Sequence, residues 1–127
     1  MRIEHIAVWT ADIERLAAFY ERYFEGRRNE KYISAHKEFQ SYFLVFADGA
    51  RLEIMTRPQV STGAIDQETM GYTHIAFSVG SKEKVIELTD MITNDGYRLI
   101  SLPRTTGDGY FESVVLDPDG NIVEITV

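Results

Sequence analysis

His5-Ile6-Ala7 recurs as His74-Ile75-Ala76, and Asp48-Gly49 followed by Leu52-Glu53-Ile54 recurs as Asp119-Gly120 followed by Val123-Glu124-Ile125. Both matches stand in one order and at nearly one offset, about 70 residues, which chance rarely gives. The unit is too long for most solenoid repeats, and only two copies exist. The chain is therefore a duplicated module.

Each copy carries the same elements. Residues 3 to 9 alternate like a strand. Asp12 is placed to cap a helix whose apolar face is Ile13, Leu16, Ala17, Tyr20 and Phe24, with Gly26 at its C-cap. Residues 31 to 35 suggest a short strand, residues 40 to 47 a longer one, Asp48-Gly49 a hairpin turn and residues 51 to 56 the return strand. In the second copy, residues 72 to 79 form the first strand. Ser81 caps a helix carrying Val85, Leu88, Thr89 and Ile92, which Gly96 closes. Strands follow over 97 to 102, 110 to 116 and 121 to 127. The expected architecture is α+β: a single domain, residues 1–127, of two βαβββ modules (about 1–57 and 72–127) joined by a linker over about 58–71.

The composition excludes several classes. The chain has 127 residues, a formal net charge of -7 and no cysteine. An acidic chain without a basic, aromatic-interleaved run gains no general attraction to nucleic acid or to anionic membrane. The lack of cysteine excludes disulfides, thiolate nucleophiles and thiolate metal sites. No apolar run approaches the roughly 18 residues needed to cross a bilayer, and no secretory signal is visible. A cytoplasmic protein acting on a small molecule is expected.

Four residues stand apart. Along a strand, alternate side chains face opposite sides. His5 and His74 point away from the apolar positions Ile6, Val8, Ile75 and Phe77, which suit packing against helices. Glu53 and Glu124 each sit between two apolar residues and face away from both. A carboxylate on an inner sheet face costs several kcal/mol without a partner, and two together repel. A divalent cation relieves both penalties. One His or one Glu alone would be an ordinary structural or solvated residue. Their recurrence at equivalent positions makes His5, Glu53, His74 and Glu124 candidate metal ligands. His36 has no counterpart and lies in a polar stretch, as a surface residue would. Asp117-Pro118-Asp119-Gly120 lacks the remaining ligands of a calcium loop, and turn chemistry explains it better.

These motifs, with Phe19-Tyr20 in the first helix and Asp117-Pro118-Asp119-Gly120 leading into Glu124, resemble the vicinal oxygen chelate superfamily. That superfamily includes glyoxalase I, bleomycin-resistance proteins and extradiol dioxygenases. The resemblance implies two βαβββ modules forming an open, cup-like sheet around one divalent metal ion, often in a homodimer, with modules pairing within a chain or across subunits. A His, Glu, His, Glu set looks most like bacterial-type glyoxalase I. Two imidazoles and two carboxylates suit Ni, Zn, Co, Fe or Mn. The implied activity is a lyase or isomerase reaction, with proton abstraction next to a metal-bound carbonyl through an enediolate. Glu124 is the first candidate for the base and Glu53 the second.

Glutathione-using members tend to have a basic residue near Trp9 and an Asn near Arg57, so this chain departs from that pattern. Arg57 suits a substrate carboxylate or phosphate. Arg104 and the loop up to Tyr110 read either as cup lining or as solvated surface, and Trp9 and Tyr110 either as cup wall or as core. The competing function is a small-molecule or antibiotic-binding protein of the bleomycin-resistance type, which would not need the intact ligand set. A dioxygenase would need an open iron geometry that a fourth protein ligand disfavours.

Overall fold

The computed structural model describes residues 1–36, 38–61 and 70–127. The chain divides into two compact units, Met1–Gly63 and Ala64–Val127. Of the linker expected over 58–71, the stretch 62–69 lies outside the described residues.

The first unit contains β1 (His5–Trp9), α1 (Ile13–Phe24), β2 (Arg27–Arg28), β3 (Tyr32–Ser34), β4 (Phe39–Val45) and β5 (Arg51–Thr56). Its sheet runs β1-β5-β4-β2, with β3 also on β4. The second unit contains β6 (His74–Ser78), α2 (Lys82–Asn94), β7 (Leu99–Thr105), β8 (Phe111–Leu116) and β9 (Ile122–Thr126), in the sheet order β6-β9-β8-β7. In both units the first strand lies parallel to the last, and the neighbouring strands are antiparallel. The sequence repeat is thus also a repeat of topology, and the architecture is the expected α+β.

The helix caps arise locally. Asp12 accepts a hydrogen bond from the Arg15 backbone N–H, and Ser81 accepts one from that of Lys84. Each satisfies a donor that the first helical turn would otherwise leave open. At the end of α2, Gly96 adopts φ +95°. Its N–H donates to the Thr93 carbonyl and that of Tyr97 to the Ile92 carbonyl, a Schellman closure. The end of α1 differs from expectation. Glu25, not Gly26, takes the left-handed conformation, at φ 56°. Gly26 is needed for space instead. A Cβ there would lie 3.1 Å from side-chain atoms of both Leu44 and Phe46.

Packing follows the alternation in the strands. Leu52 and Ile54 of β5 are buried, as are Tyr42 and Leu44 of β4, and α1 packs on both strands. The helical stripe Ile13, Leu16, Ala17, Tyr20 and Phe24 is buried, and so are Phe19 and Tyr23 beside it. In the second unit Val85, Thr89 and Ile92 of α2 are buried with Ser113 and Val115 of β8 and Val123 and Ile125 of β9, while Leu88 is only half-buried. Thr89 donates its hydroxyl to the Val85 carbonyl and lies 2.6 Å from the Ser113 hydroxyl. This leaves the buried Thr89–Ser113 pair hydrogen-bonded, so its burial carries little penalty.

Strand ends shift by a few residues from the sequence reading, and two differences go further. The first unit has an additional two-residue strand, β2, formed because Arg27 and Arg28 pair with Val45 and Leu44. In the second unit β7 continues past residue 102 to Thr105. Pro103 would ordinarily end a strand, but β7 is an edge strand, and its register shifts between Ser101 and Arg104. A proline is tolerated at such a place because its missing N–H leaves no ladder bond unmade. The turn reading of residues 117–120 holds. The buried Asp117 carboxylate accepts from the backbone N–H groups of Asp119 and Asn121 and from the Asn121 side-chain amide, each at 2.9 Å.

An ion network joins α1 to β2 and β4. Arg28 donates from Nε to Glu21 at 2.7 Å and from Nη1 to Glu14 at 2.8 Å, and it lies over the Tyr42 ring. Hydrogen bonds from Arg28 hold the Glu21 carboxyl below its ordinary value, and Lys31 does the same chiefly for Glu14. A depressed carboxyl contributes stability that is present above its unfolded value and lost as pH falls through the folded one. Glu21→Gln is therefore expected to lower stability by roughly 0.5–1 kcal/mol near neutral pH, with the deficit shrinking as pH falls below about 4.5. Chemical denaturation across that range checks it; a deficit that grows on acidification contradicts it.

Candidate functional site

Each module brings one imidazole and one carboxylate to the same sheet face. In β1–β5, Ala7 pairs with Glu53, and in β6–β9, Ala76 pairs with Glu124. The histidine lies two residues before that alanine in each case, on the same face. A methyl group opposite each glutamate leaves the carboxylate room to turn towards the imidazole. His5 Nε2 lies 3.8 Å from Glu53 Oε2, and His74 Nε2 lies 3.3 Å from Glu124 Oε2. Both glutamates are mostly shielded, at 16% and 22% side-chain exposure, while both histidines are 41% exposed. The pairs are thus reachable from solvent on the imidazole side and screened on the carboxylate side. Among the described residues no cluster of three or more His, Asp and Glu side chains is placed to hold a metal.

Other side chains surround the first pair. Glu4 Oε2 lies 2.5 Å from His5 Nδ1, and the other Glu4 oxygen pairs with Arg51. The His5 ring lowers the Glu4 carboxyl below its ordinary value, with Arg51 adding to the effect. Arg51 lies over the Phe43 ring, 4.2 Å from its centroid, and Phe43 stands edge-on to His5 at 5.4 Å. The sequence reading did not single out Glu4 or Phe43. Glu4 directly precedes His5, but its role depends on Arg51 lying beside it across a parallel ladder, which no local pattern reveals.

The four candidate substrate-binding residues fall in two places. Trp9 and Arg57 meet in the first module, where the Arg57 guanidinium lies 4.7 Å from the Trp9 ring centroid. Trp9 packs edge-on to Phe39, which touches Tyr32. Tyr32, Phe39, Arg57 and His36 help to line an open cleft of about 910 Å³ on this module, which does not include His5 or Glu53. His36 is exposed, as expected of a surface histidine. In the second module Arg104 belongs to β7, not to a loop, and its guanidinium is 3.9 Å from Glu112. Tyr110 is 58% exposed and Trp9 43%, so neither is a core residue.

The fold and the repeated His–Glu pairs define a class, and the sequence profile of the Glyoxalase/Bleomycin resistance protein/Dioxygenase superfamily matches residues 2–125. The chain belongs to that superfamily. Its structure is similar to the trypanothione-dependent glyoxalase I of Leishmania major, with 21% identity and a TM-score of 0.79 over 99% of this chain and 86% of that one. It is similar to a glyoxalase family protein from Enterococcus faecalis, with 22% identity and a TM-score of 0.81 over 99% and 97%. It also matches glyoxalase I from Zea mays at 21% identity and a TM-score of 0.77, spanning 98% of this chain and 44% of that one. At these identities the likeness is one of fold. Among curated proteins, none matches.

The chain has a single tryptophan, Trp9, so its fluorescence reports on one place. Arg57→Ala is expected to raise the acrylamide quenching constant of Trp9 and to cost under about 1 kcal/mol of stability, as an exposed cation–π contact should. Unchanged quenching would show that the guanidinium does not cover the indole.

Proposed function

We propose that this chain is a divalent-metal-dependent lyase or isomerase of glyoxalase I type, acting on an α-oxo or α-hydroxy substrate. The observation that carries the reading is the twofold occurrence of one imidazole and one carboxylate on a common sheet face, at 3.8 Å and 3.3 Å. Superfamily membership supports it. In the proposal both pairs serve one ion, so that His5, Glu53, His74 and Glu124 are its ligands, within one chain or across a homodimer.

The donor chemistry fits such an ion. A neutral imidazole nitrogen and a carboxylate oxygen facing each other are both electron-rich, and a cation between them removes the repulsion. Two nitrogen and two oxygen donors suit Ni, Zn, Co, Fe or Mn. A bound divalent ion would supply positive charge that favours enediolate formation from a neighbouring carbonyl.

The chain's own residues would do the rest. Glu124 removes the proton from the carbon next to the carbonyl and returns it to the adjacent carbon, a role its shielded carboxylate and nearby imidazole suit. Glu53 is the second candidate for this base. Arg57 offers a planar fork to a substrate carboxylate or phosphate, with Trp9 beneath it as an apolar wall. Arg104 and Tyr110 are the matching candidates in the second module.

Metal loading followed by elemental analysis is expected to give close to one ion per chain. The loaded protein is expected to turn over the methylglyoxal–glutathione hemithioacetal or another thiol adduct. Glu124→Gln is expected to lower turnover by roughly 10²–10⁴-fold. Absence of turnover with any metal and any thiol adduct would sink the lyase reading. A metal ratio near zero that added metal does not restore would favour the small-molecule-binding alternative.

A further inference from the structure

The two modules duplicate the His–Glu pair but not its surroundings. Thr73 precedes His74 where Glu4 precedes His5. Ile122 pairs with His74 where Arg51 pairs with His5. Val114 pairs with Glu124 where Phe43 pairs with Glu53. None of the three can supply a carboxylate, a cation or an aromatic edge. Among the described residues, the first module alone has a carboxylate on the far nitrogen of its histidine.

The geometry of that carboxylate is informative. Glu4 Oε2 sits 2.5 Å from His5 Nδ1, and an ionised carboxylate can only accept a hydrogen bond. Nδ1 must then be the donor. In the neutral ring the lone pair falls on Nε2, the nitrogen that faces Glu53 Oε2 at 3.8 Å. Arg51 pairs with the other Glu4 oxygen, so the carboxylate is held from both sides. The Arg51 backbone N–H also donates to the Glu4 carbonyl at 3.0 Å, which ties the residue's main chain to β5. Phe43, under Arg51 and edge-on to His5, restricts the tilt of the ring.

We propose that Glu4, braced by Arg51, is a positioning residue that holds His5 as the Nδ1–H tautomer and so presents Nε2 as an electron-pair donor to a divalent cation. The tautomer claim stands on the hydrogen bond alone; what Nε2 then binds rests on the metal reading above. A carboxylate behind a metal-binding histidine fixes ring orientation and raises ligand basicity, and its loss typically costs 10–100-fold in metal affinity. The consequence is a division of labour. His5 is a preset ligand, whereas the partner of the His74 ring among the described residues is its own glutamate.

The test uses the full-length chain. Long-range ¹H–¹⁵N correlation spectra of the metal-free protein at alkaline pH report the tautomer of each histidine. The wild type is expected to show Nδ1–H at His5, and Glu4→Ala to move His5 towards Nε2–H while His74 stays unchanged. Glu4→Gln, whose side-chain oxygen still accepts, is expected to restore the wild-type tautomer. In a competition titration with zinc and a chromophoric chelator, Glu4→Ala should bind roughly 10–100-fold more weakly, while Thr73→Ala stays within about twofold of the wild type. Nε2–H at His5 in the wild type, or a tautomer indifferent to Glu4→Ala, overturns the proposal. If wild-type protein binds no zinc, the metal reading fails, and the spectra still decide the role of Glu4.

Discussion

The parallel ladder between the first and last strands of each module is the constraint on which the site depends. In sequence, His5 and Glu53 are far apart, as are His74 and Glu124. Parallel pairing of β1 with β5 and of β6 with β9 makes their strands neighbours, and one register sets the alanine two residues after each histidine opposite the glutamate. A slip by one residue would turn every side chain of the strand to the other face. Such a slip would expose Leu52 and Ile54, or Val123 and Ile125, and bury the carboxylates. The hydrophobic core therefore enforces the register, and the register places the polar pair. Stability and site geometry are set by the same alternation.

The same constraint explains why the polar faces can differ while the buried faces match. Leu52 and Ile54 correspond to Val123 and Ile125, all buried. On the opposite face, the first module carries Glu4, Arg51 and Phe43 around its histidine, and the second carries Thr73, Ile122 and Val114. Packing tolerates little change on the core side, where losing a large side chain costs about 2–5 kcal/mol. The other face is free to diverge, because exposed charge pairs contribute little to stability. Function can then be built asymmetrically on a symmetric frame.

Much of this was legible in the sequence because it rests on local rules. Alternation around Glu53 and Glu124 gave the faces, Asp12 and Ser81 gave the helix starts, and Asp48-Gly49 and Asp119-Gly120 gave the hairpins. The misread places are those where local signals compete or long-range contacts decide. Gly26 looked like a left-handed cap, but Glu25 takes that conformation and Gly26 yields space to Leu44 and Phe46. The strand expected over 97 to 102 runs on through Pro103 to Thr105, because an edge position lets β7 continue. The bracing of His5 by Glu4 was hidden because it requires Arg51, which only the parallel register brings alongside. Arg57 over Trp9 was hidden too, since both were read singly and not as a contact.

In the proposed function, one ion draws on the imidazole of each module. X-ray absorption at the metal edge of nickel- or cobalt-loaded protein counts imidazole ligands directly through their outer-ring scattering. The account predicts two imidazoles together with oxygen donors. A shell with one imidazole or none would contradict it, whatever the protein's activity.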